Sequence, residues 1–171
     1  LVFQGFSALS GALEEYLMPS DGMSVSQDLL ETLVRGMIQD LRICWKTSDN
    51  DSARSNLMWR CALWGSRFFQ LGQRFSFPAL PVREAAILSA SNWEEYAGAL
   101  AVLLLSLCHR EEKQHPARLA RLFHRVWWEK TGGGKTAQEV SQACVRSFAE
   151  FLRELDVPVL PEQVSAAVRK Q

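Results

Sequence analysis

The apolar residues of this chain recur at a helical period, and this pattern limits its possible folds more than any other feature. It is clearest between residues 24 and 45, where the apolar stripe consists of Leu30, Leu33, Val34, Met37, Leu41, Cys44 and Trp45. Residues spaced three or four positions apart lie on one side of an α-helix. Asp28, Glu31, Arg35 and Asp40 fall mostly outside the stripe. The segment is therefore predicted to be an amphipathic helix with one buried face.

Helix start signals recur along the chain, and no segment alternates with the period of two that marks a strand. Capping boxes, in which a Ser or Thr is followed three positions later by Glu or Gln, occur at Ser24–Gln27, Ser91–Glu94 and Thr136–Glu139. Pro81 and Pro116 suit the first position of a helix. The sequence therefore predicts an all-α fold, a single-domain multi-helix bundle of about seven or eight helices.

The segment from Asp51 to about Phe69 or Leu71 is predicted to be the third helix and to lie centrally. A helix that is apolar around much of its circumference is usually buried on several sides. Gly65 costs helix stability, which a close crossing by another helix would offset. The apolar residues of this segment are Leu57, Met58, Cys61, Ala62, Trp64, Phe68 and Phe69.

The length of 171 residues fits one domain. An apolar fraction of 47% and a charged fraction of 22% are those of a globular protein. Phe3-Gln4-Gly5 is similar to the end of a protease site used in expression vectors. Residues 1–5 are therefore predicted to be a vector remnant and residues 6–171 the helical domain.

Cysteine usage and hydropathy bear on the cellular location. The four cysteines form no CxxC pair and lie in apolar helical segments, which predicts buried free thiols in a reducing compartment. The longest apolar stretch, Ala97 to Cys108, is shorter than the roughly 20 residues that a membrane span requires. No signal peptide is apparent. The predicted location is intracellular, in the cytoplasm or nucleus, with no membrane span.

The segment Gly132-Gly133-Gly134-Lys135-Thr136 shares its last residues with phosphate loops. A phosphate loop also needs an earlier glycine, where this chain has Glu129, and a preceding strand, where a helix is predicted. The segment is therefore predicted to be a turn between two helices.

Positive charge is concentrated between His109 and Lys135, although the whole chain has 19 basic and 19 acidic residues. On the predicted helix 116–130, Trp128 projects away from the apolar stripe among cations, as in a stacking or partner surface. Packing of Trp128 against another layer of the same domain is the alternative. The candidate surface for a protein partner or nucleic acid consists of Arg118, Arg121, His124, Arg125, Trp128 and Lys135.

Sites for metals, cofactors and catalysis find little support in the sequence. His109, His115 and His124 are six and nine residues apart, whereas helical metal sites favour spacings of three or four. No signature of a metalloprotease, a serine hydrolase or a cysteine nucleophile is present. No catalytic residue, metal or cofactor is predicted.

Three functions are compatible with this pattern, and they rank in a definite order. The leading prediction is a helical protein–protein interaction module, an adaptor or a subunit of a larger assembly, and not an enzyme. An accessory nucleic-acid-binding subunit using the basic face of helix 116–130 is the second, and an enzyme with an unrecognised site is the third. A protein partner is expected, nucleic acid is the alternative partner, and the oligomeric state is left open.

Overall fold

The computed structural model describes residues 1–17, 24–68, 90–127 and 135–157, and this part of the chain is all-helical. The predicted all-α class is therefore confirmed. The predicted count of seven or eight helices is not, because the helices expected around residues 81–88 and after residue 161 lie outside the described residues. The six described helices are α1 (Val2–Leu17), α2 (Ser24–Lys46), α3 (Asp51–Gly65), α4 (Trp93–Gln114), α5 (Pro116–Trp127) and α6 (Ala137–Glu154).

Helix α1 lies at the centre of one half of the bundle and contacts α2, α3 and α4. Helix α6 packs on α5 and α4, and α5 also contacts α2 and α4. The core is continuous across these helices, and its largest fully buried side chains include Phe6, Tyr16, Phe123, Phe148 and Phe151.

The predicted stripe of α2 is buried from Leu30 to Cys44. Trp45 departs from the prediction, since 37% of its surface is exposed. It lies in the last turn of α2, where Lys46 and the turn after it are exposed as well. A periodic pattern does not show how far along a helix its neighbours extend.

Helix α3 is peripheral, so the prediction of a central third helix is wrong. Only Ala53 and Leu57 are buried in it, whereas Met58 is 60% and Trp59 76% exposed. The helix also ends at Gly65, and Phe68, predicted to lie on its inward stripe, is 53% exposed. Packing on α1 and α2 covers one side of α3 and leaves its other apolar sides in solvent.

The close helix contact predicted at Gly65 occurs at a different glycine. A Cβ atom built on Gly65 would meet no atom of the described residues within 4 Å. One built on Gly11 of α1 would lie 3.0 Å from the ring of Trp64. The absence of a side chain at Gly11 therefore lets α3 place an indole against α1.

Two helix starts can be compared with their predicted capping boxes. The box at Thr136 and Glu139 is confirmed. The Thr136 hydroxyl accepts a hydrogen bond from the Glu139 N–H, and the Glu139 carboxylate accepts one from the Thr136 N–H. At α4 the cap lies one residue later than predicted, because the Asn92 side chain accepts the Glu95 N–H at 2.9 Å. Glu95 in turn accepts the N–H of Ser91 at 2.7 Å.

The ends and the thiols of the chain bear on the remaining fold predictions. Val2 to Gly5 form the first turn of α1, and Gly5 is buried; that residues 1–5 are a vector remnant stays a prediction.

All four cysteines are free, and Cys44, Cys108 and Cys144 are buried. None of the helices in the described part is long and apolar enough to cross a membrane.

Candidate functional site

The arginines of the predicted basic surface bind carboxylates of neighbouring helices. Arg121 donates from Nε to Glu31 and from Nη2 to Asp28, both at 2.6 Å. Arg125 Nε lies 3.7 Å from the other carboxylate oxygen of Glu31. Glu31 is only 3% exposed, so these contacts join α5 to the buried side of α2.

Arg118 is held in the same way at the other end of α5. Its Nη1 atom donates to the backbone carbonyl of Leu17 at 2.8 Å and to Glu111 Oε2 at 3.0 Å. Glu111 is 2% exposed, and its Oε2 atom also lies 3.2 Å from His115 Nδ1. Much of the positive charge predicted for a partner surface therefore neutralises buried acids of this chain.

Two of the other predicted surface residues, His124 and Lys135, lie among the described residues. His124 is exposed and meets the ring of Phe123 edge-on at 6.1 Å. Lys135 is exposed ahead of α6. Trp128, on which the interpretation depended most, lies outside the described residues. The partner surface as a whole stays a prediction.

The buried carboxylate of Glu31 also shifts the pKa values of its partners Tyr16 and Arg121, with which it forms a cluster. The Tyr16 hydroxyl donates to Glu31 at 2.9 Å. Burial, followed by the negative charge of Glu31, raises the pKa of Tyr16 well above its ordinary range. The hydrogen bond to Glu31 raises the pKa of Arg121. The cluster therefore keeps Tyr16 neutral and Arg121 charged, which suits a structural link between helices.

His109 and His115 bind neighbouring acids, and the described residues contain no metal site. His109 Nδ1 lies 3.3 Å from Glu112 Oε2, one turn along α4. No group of three or more His, Cys, Asp or Glu side chains that could hold a metal ion occurs in the described ranges.

A cavity between the first turns of α1 and the start of α4 is the better candidate site. We call it the hydroxyl cavity; its volume is about 520 Å³, within the range of roughly 300–1,000 Å³ that is usual for small-molecule sites. It is open to solvent on one side. The described residues that line it are Gln4, Ser7, Ala90, Ser91, Asn92, Trp93 and Tyr96.

Two hydroxyl groups meet in the wall of this cavity. Ser7 Oγ of α1 lies 3.1 Å from the Tyr96 hydroxyl of α4, and the pair is partly buried. The Trp93 ring packs against Tyr96 with its centroid 5.8 Å away and the planes inclined by 66°. The cavity thus combines two aromatic walls with a hydrogen-bonded hydroxyl pair.

Sequence reasoning missed this site because its residues are far apart in the chain. Ser7 and Tyr96 are separated by 89 residues and belong to no local motif. Only the packing of α1 on α4 brings them together. The one available signal was the polar cluster Ser91-Asn92 beside Trp93, which we interpreted solely as a helix start.

Comparison with known proteins gives matches in structure only. No protein-family model matches the chain, and no curated protein matches it. The aldehyde reductase YqhD of E. coli superposes with a TM-score of 0.80 at 18% identity, over 96% of this chain and 42% of that one. An NADH-dependent butanol dehydrogenase of Thermotoga maritima superposes with a TM-score of 0.76 at 20% identity, over 96% and 40%. The chain therefore shares its fold with about two fifths of each enzyme.

These matches overturn the leading functional prediction. We expected an adaptor or assembly subunit and no enzyme, yet the structures that share this fold are a reductase and a dehydrogenase. The enzyme hypothesis, ranked last, agrees with the matches, while nucleic-acid binding stays a prediction that they do not test. Motifs within short segments could not reveal this likeness, because it extends over 96% of the chain.

Proposed function

We propose that this chain is the helical part of an oxidoreductase that interconverts an aldehyde and an alcohol. The observation that carries the proposal is the superposition of 96% of the chain on the aldehyde reductase, with a TM-score of 0.80. Fold alone does not determine chemistry, so a site is also needed. The hydroxyl cavity supplies one, because it is of ligand size and lined by aromatic rings and hydroxyl groups.

A nicotinamide dinucleotide would be the hydride donor or acceptor of such an enzyme, and the described residues do not fit it. Dinucleotide sites of doubly wound folds use a glycine-rich turn between a strand and a helix. The described part of this chain contains no strand. Residues other than those described would have to bind the dinucleotide. The role proposed for the described residues is therefore to bind the aldehyde or alcohol.

An intracellular location belongs to the same proposal. Free thiols at Cys44, Cys61, Cys108 and Cys144 support it, because a reducing compartment keeps cysteines in this state.

The test is an assay of reduction by the polypeptide encoded by the complete reading frame that contains this chain. We expect short-chain aldehydes to be reduced with NADH or NADPH, measured by the loss of the reduced cofactor's absorbance. Tyr96→Phe should lower the turnover of that enzyme, whereas Trp59→Phe, on the outer face of α3, should not. Absence of reduction and of the reverse alcohol oxidation with either cofactor would contradict the proposal.

A further inference from the structure

We infer that the hydroxyl cavity binds a small neutral molecule through the Ser7–Tyr96 hydroxyl pair. The ligand has one carbonyl or hydroxyl oxygen and a short hydrocarbon tail. This inference rests on the proposed function for its biological meaning, but the binding itself requires no cofactor. It assigns recognition of the ligand's oxygen to two named side chains of this chain.

The donors and acceptors of the pair match those of an aldehyde or an alcohol. Each hydroxyl group has one O–H donor and two lone pairs. A phenol O–H is a stronger hydrogen-bond donor to a carbonyl oxygen than an aliphatic O–H. Either hydroxyl can donate across the 3.1 Å contact. When Ser7 donates to the Tyr96 oxygen, the Tyr96 O–H is available to the ligand. The lone pairs of the Tyr96 oxygen accept the proton of an alcohol in the same place.

The lining of the cavity favours neutral ligands over anions. None of the described lining residues is charged: they contribute hydroxyl groups, two side-chain amides, an alanine methyl and two aromatic rings. Placing a carboxylate or a phosphate among these groups would desolvate its charge without providing a cation. The described part of the lining therefore favours a neutral ligand, as the hydroxyl pair does.

An aromatic wall accounts for the hydrocarbon tail. Trp93 is 52% exposed and stands edge to face with Tyr96. A tail lying along the indole would remove apolar surface from water, which is favourable in proportion to the area covered. The oxygen and the tail of one molecule thus meet different sides of the same cavity.

The experiment is a binding titration by fluorine NMR without any cofactor, using trifluorobutanol and the anion trifluorobutanoate as probes of matched size. We expect saturable binding of trifluorobutanol and binding of the anion about tenfold weaker or worse, as 1.4 kcal/mol corresponds to tenfold. Tyr96→Phe, which removes one hydroxyl group and keeps the ring, should weaken trifluorobutanol binding roughly two- to tenfold, the usual worth of one hydrogen bond. Ser7→Ala should weaken it less.

Two further variants keep the test independent of folding. Ala90→Leu fills the cavity without altering either hydroxyl and should also weaken binding. Trp59→Phe changes an exposed tryptophan on α3 and should leave binding as in the parent protein, while circular dichroism verifies the helical content of each variant.

The outcomes separate this inference from the proposed function. No saturable binding of trifluorobutanol, equal binding of the anion, or binding unchanged in both Tyr96→Phe and Ala90→Leu would overturn the inference. If aldehyde reduction by the complete polypeptide persisted in that case, the proposed function would stand without this site. Binding with the expected variant effects, but no reductase activity, would support the cavity and contradict the proposed function.

Discussion

Glu31 and Glu111 are almost completely buried, and each holds an arginine of α5. Glu31 binds Arg121, and Glu111 binds Arg118. A buried carboxylate is tolerated when charge and hydrogen bonds compensate for its lost hydration. Arg118 and Arg121 therefore compensate buried negative charge within the fold.

The first prediction concerns Glu31. Glu31→Ala removes the acceptor for Arg121 and for the Tyr16 hydroxyl, and we expect it to lower the free energy of unfolding by about 3 kcal/mol. Arg121 keeps contact with water, since 38% of its side chain is exposed, and this limits the loss. Urea unfolding followed by circular dichroism measures the change.

The matched control for Glu31 is Glu154, which binds Arg42 at 2.5 Å but is 39% exposed. An exposed ion pair contributes about 0–1 kcal/mol, so Glu154→Ala should have a small effect. Equal decreases in the free energy of unfolding for Glu31→Ala and Glu154→Ala would show that burial does not increase the contribution of Glu31 to stability.

At the scale of the helices, the contact between α1 and α3 depends on the small residue Gly11. The ring of Trp64 occupies the space where a side chain at Gly11 would begin. Trp64 is thereby packed against the core, although most of the other apolar side chains of α3 remain outside it. Together with the packing of Leu57 against Gly5 of α1, this contact gives α3 a defined inward face.

The second prediction compares two glycine substitutions in these helices. Gly11→Ala should destabilise the protein by about 1–3 kcal/mol, because the added methyl overpacks the contact with Trp64. Gly65→Ala should stabilise it by about 0.5 kcal/mol, because alanine favours the helix and meets no neighbouring atom. Thermal and urea unfolding of both variants measure these changes, and effects of the same sign would contradict the proposed packing.

At the scale of the whole molecule, the thiols at the junction of α4 and α6 are removed from water. Burial raises the pKa of Cys108 to about 12 and also raises that of Cys144, with the proximity of Cys108 adding to the second shift. These pKa values describe the folded protein, and both thiols regain ordinary pKa values when the chain unfolds. The free energy of unfolding of the bundle therefore depends on pH in the alkaline range.

The third prediction follows from the sign of this linkage. Below a pH of about 9 the Cys108 thiol is protonated in both states, and its contribution to stability is fully present. Above that pH the unfolded chain releases the proton while the native protein retains it, so the free energy of unfolding should fall as the pH rises from about 9 toward 12. Urea unfolding at a series of alkaline pH values measures the slope.

A pair of variants on α4 isolates the thiol. Cys108→Ala should flatten this slope, although Cys144 and Tyr16 retain part of it. Ser106→Ala, a buried hydroxyl on the same helix that does not titrate in this range, should keep the slope of the parent protein. An unchanged slope in Cys108→Ala would show that the thiol does not contribute.

The sequence by itself determined the helices of this protein, because helical periodicity and capping depend on residues only three or four positions apart. For that reason the sequence predicted the stripe of α2, the capping box at Thr136 and the mostly buried run from Ala97 to Cys108. Tertiary structure alone decided that α3 is peripheral and that the arginines of α5 face buried glutamates. It also brought Ser7 to Tyr96 across 89 residues, since the packing of α1 on α4 that joins them has no expression in local sequence.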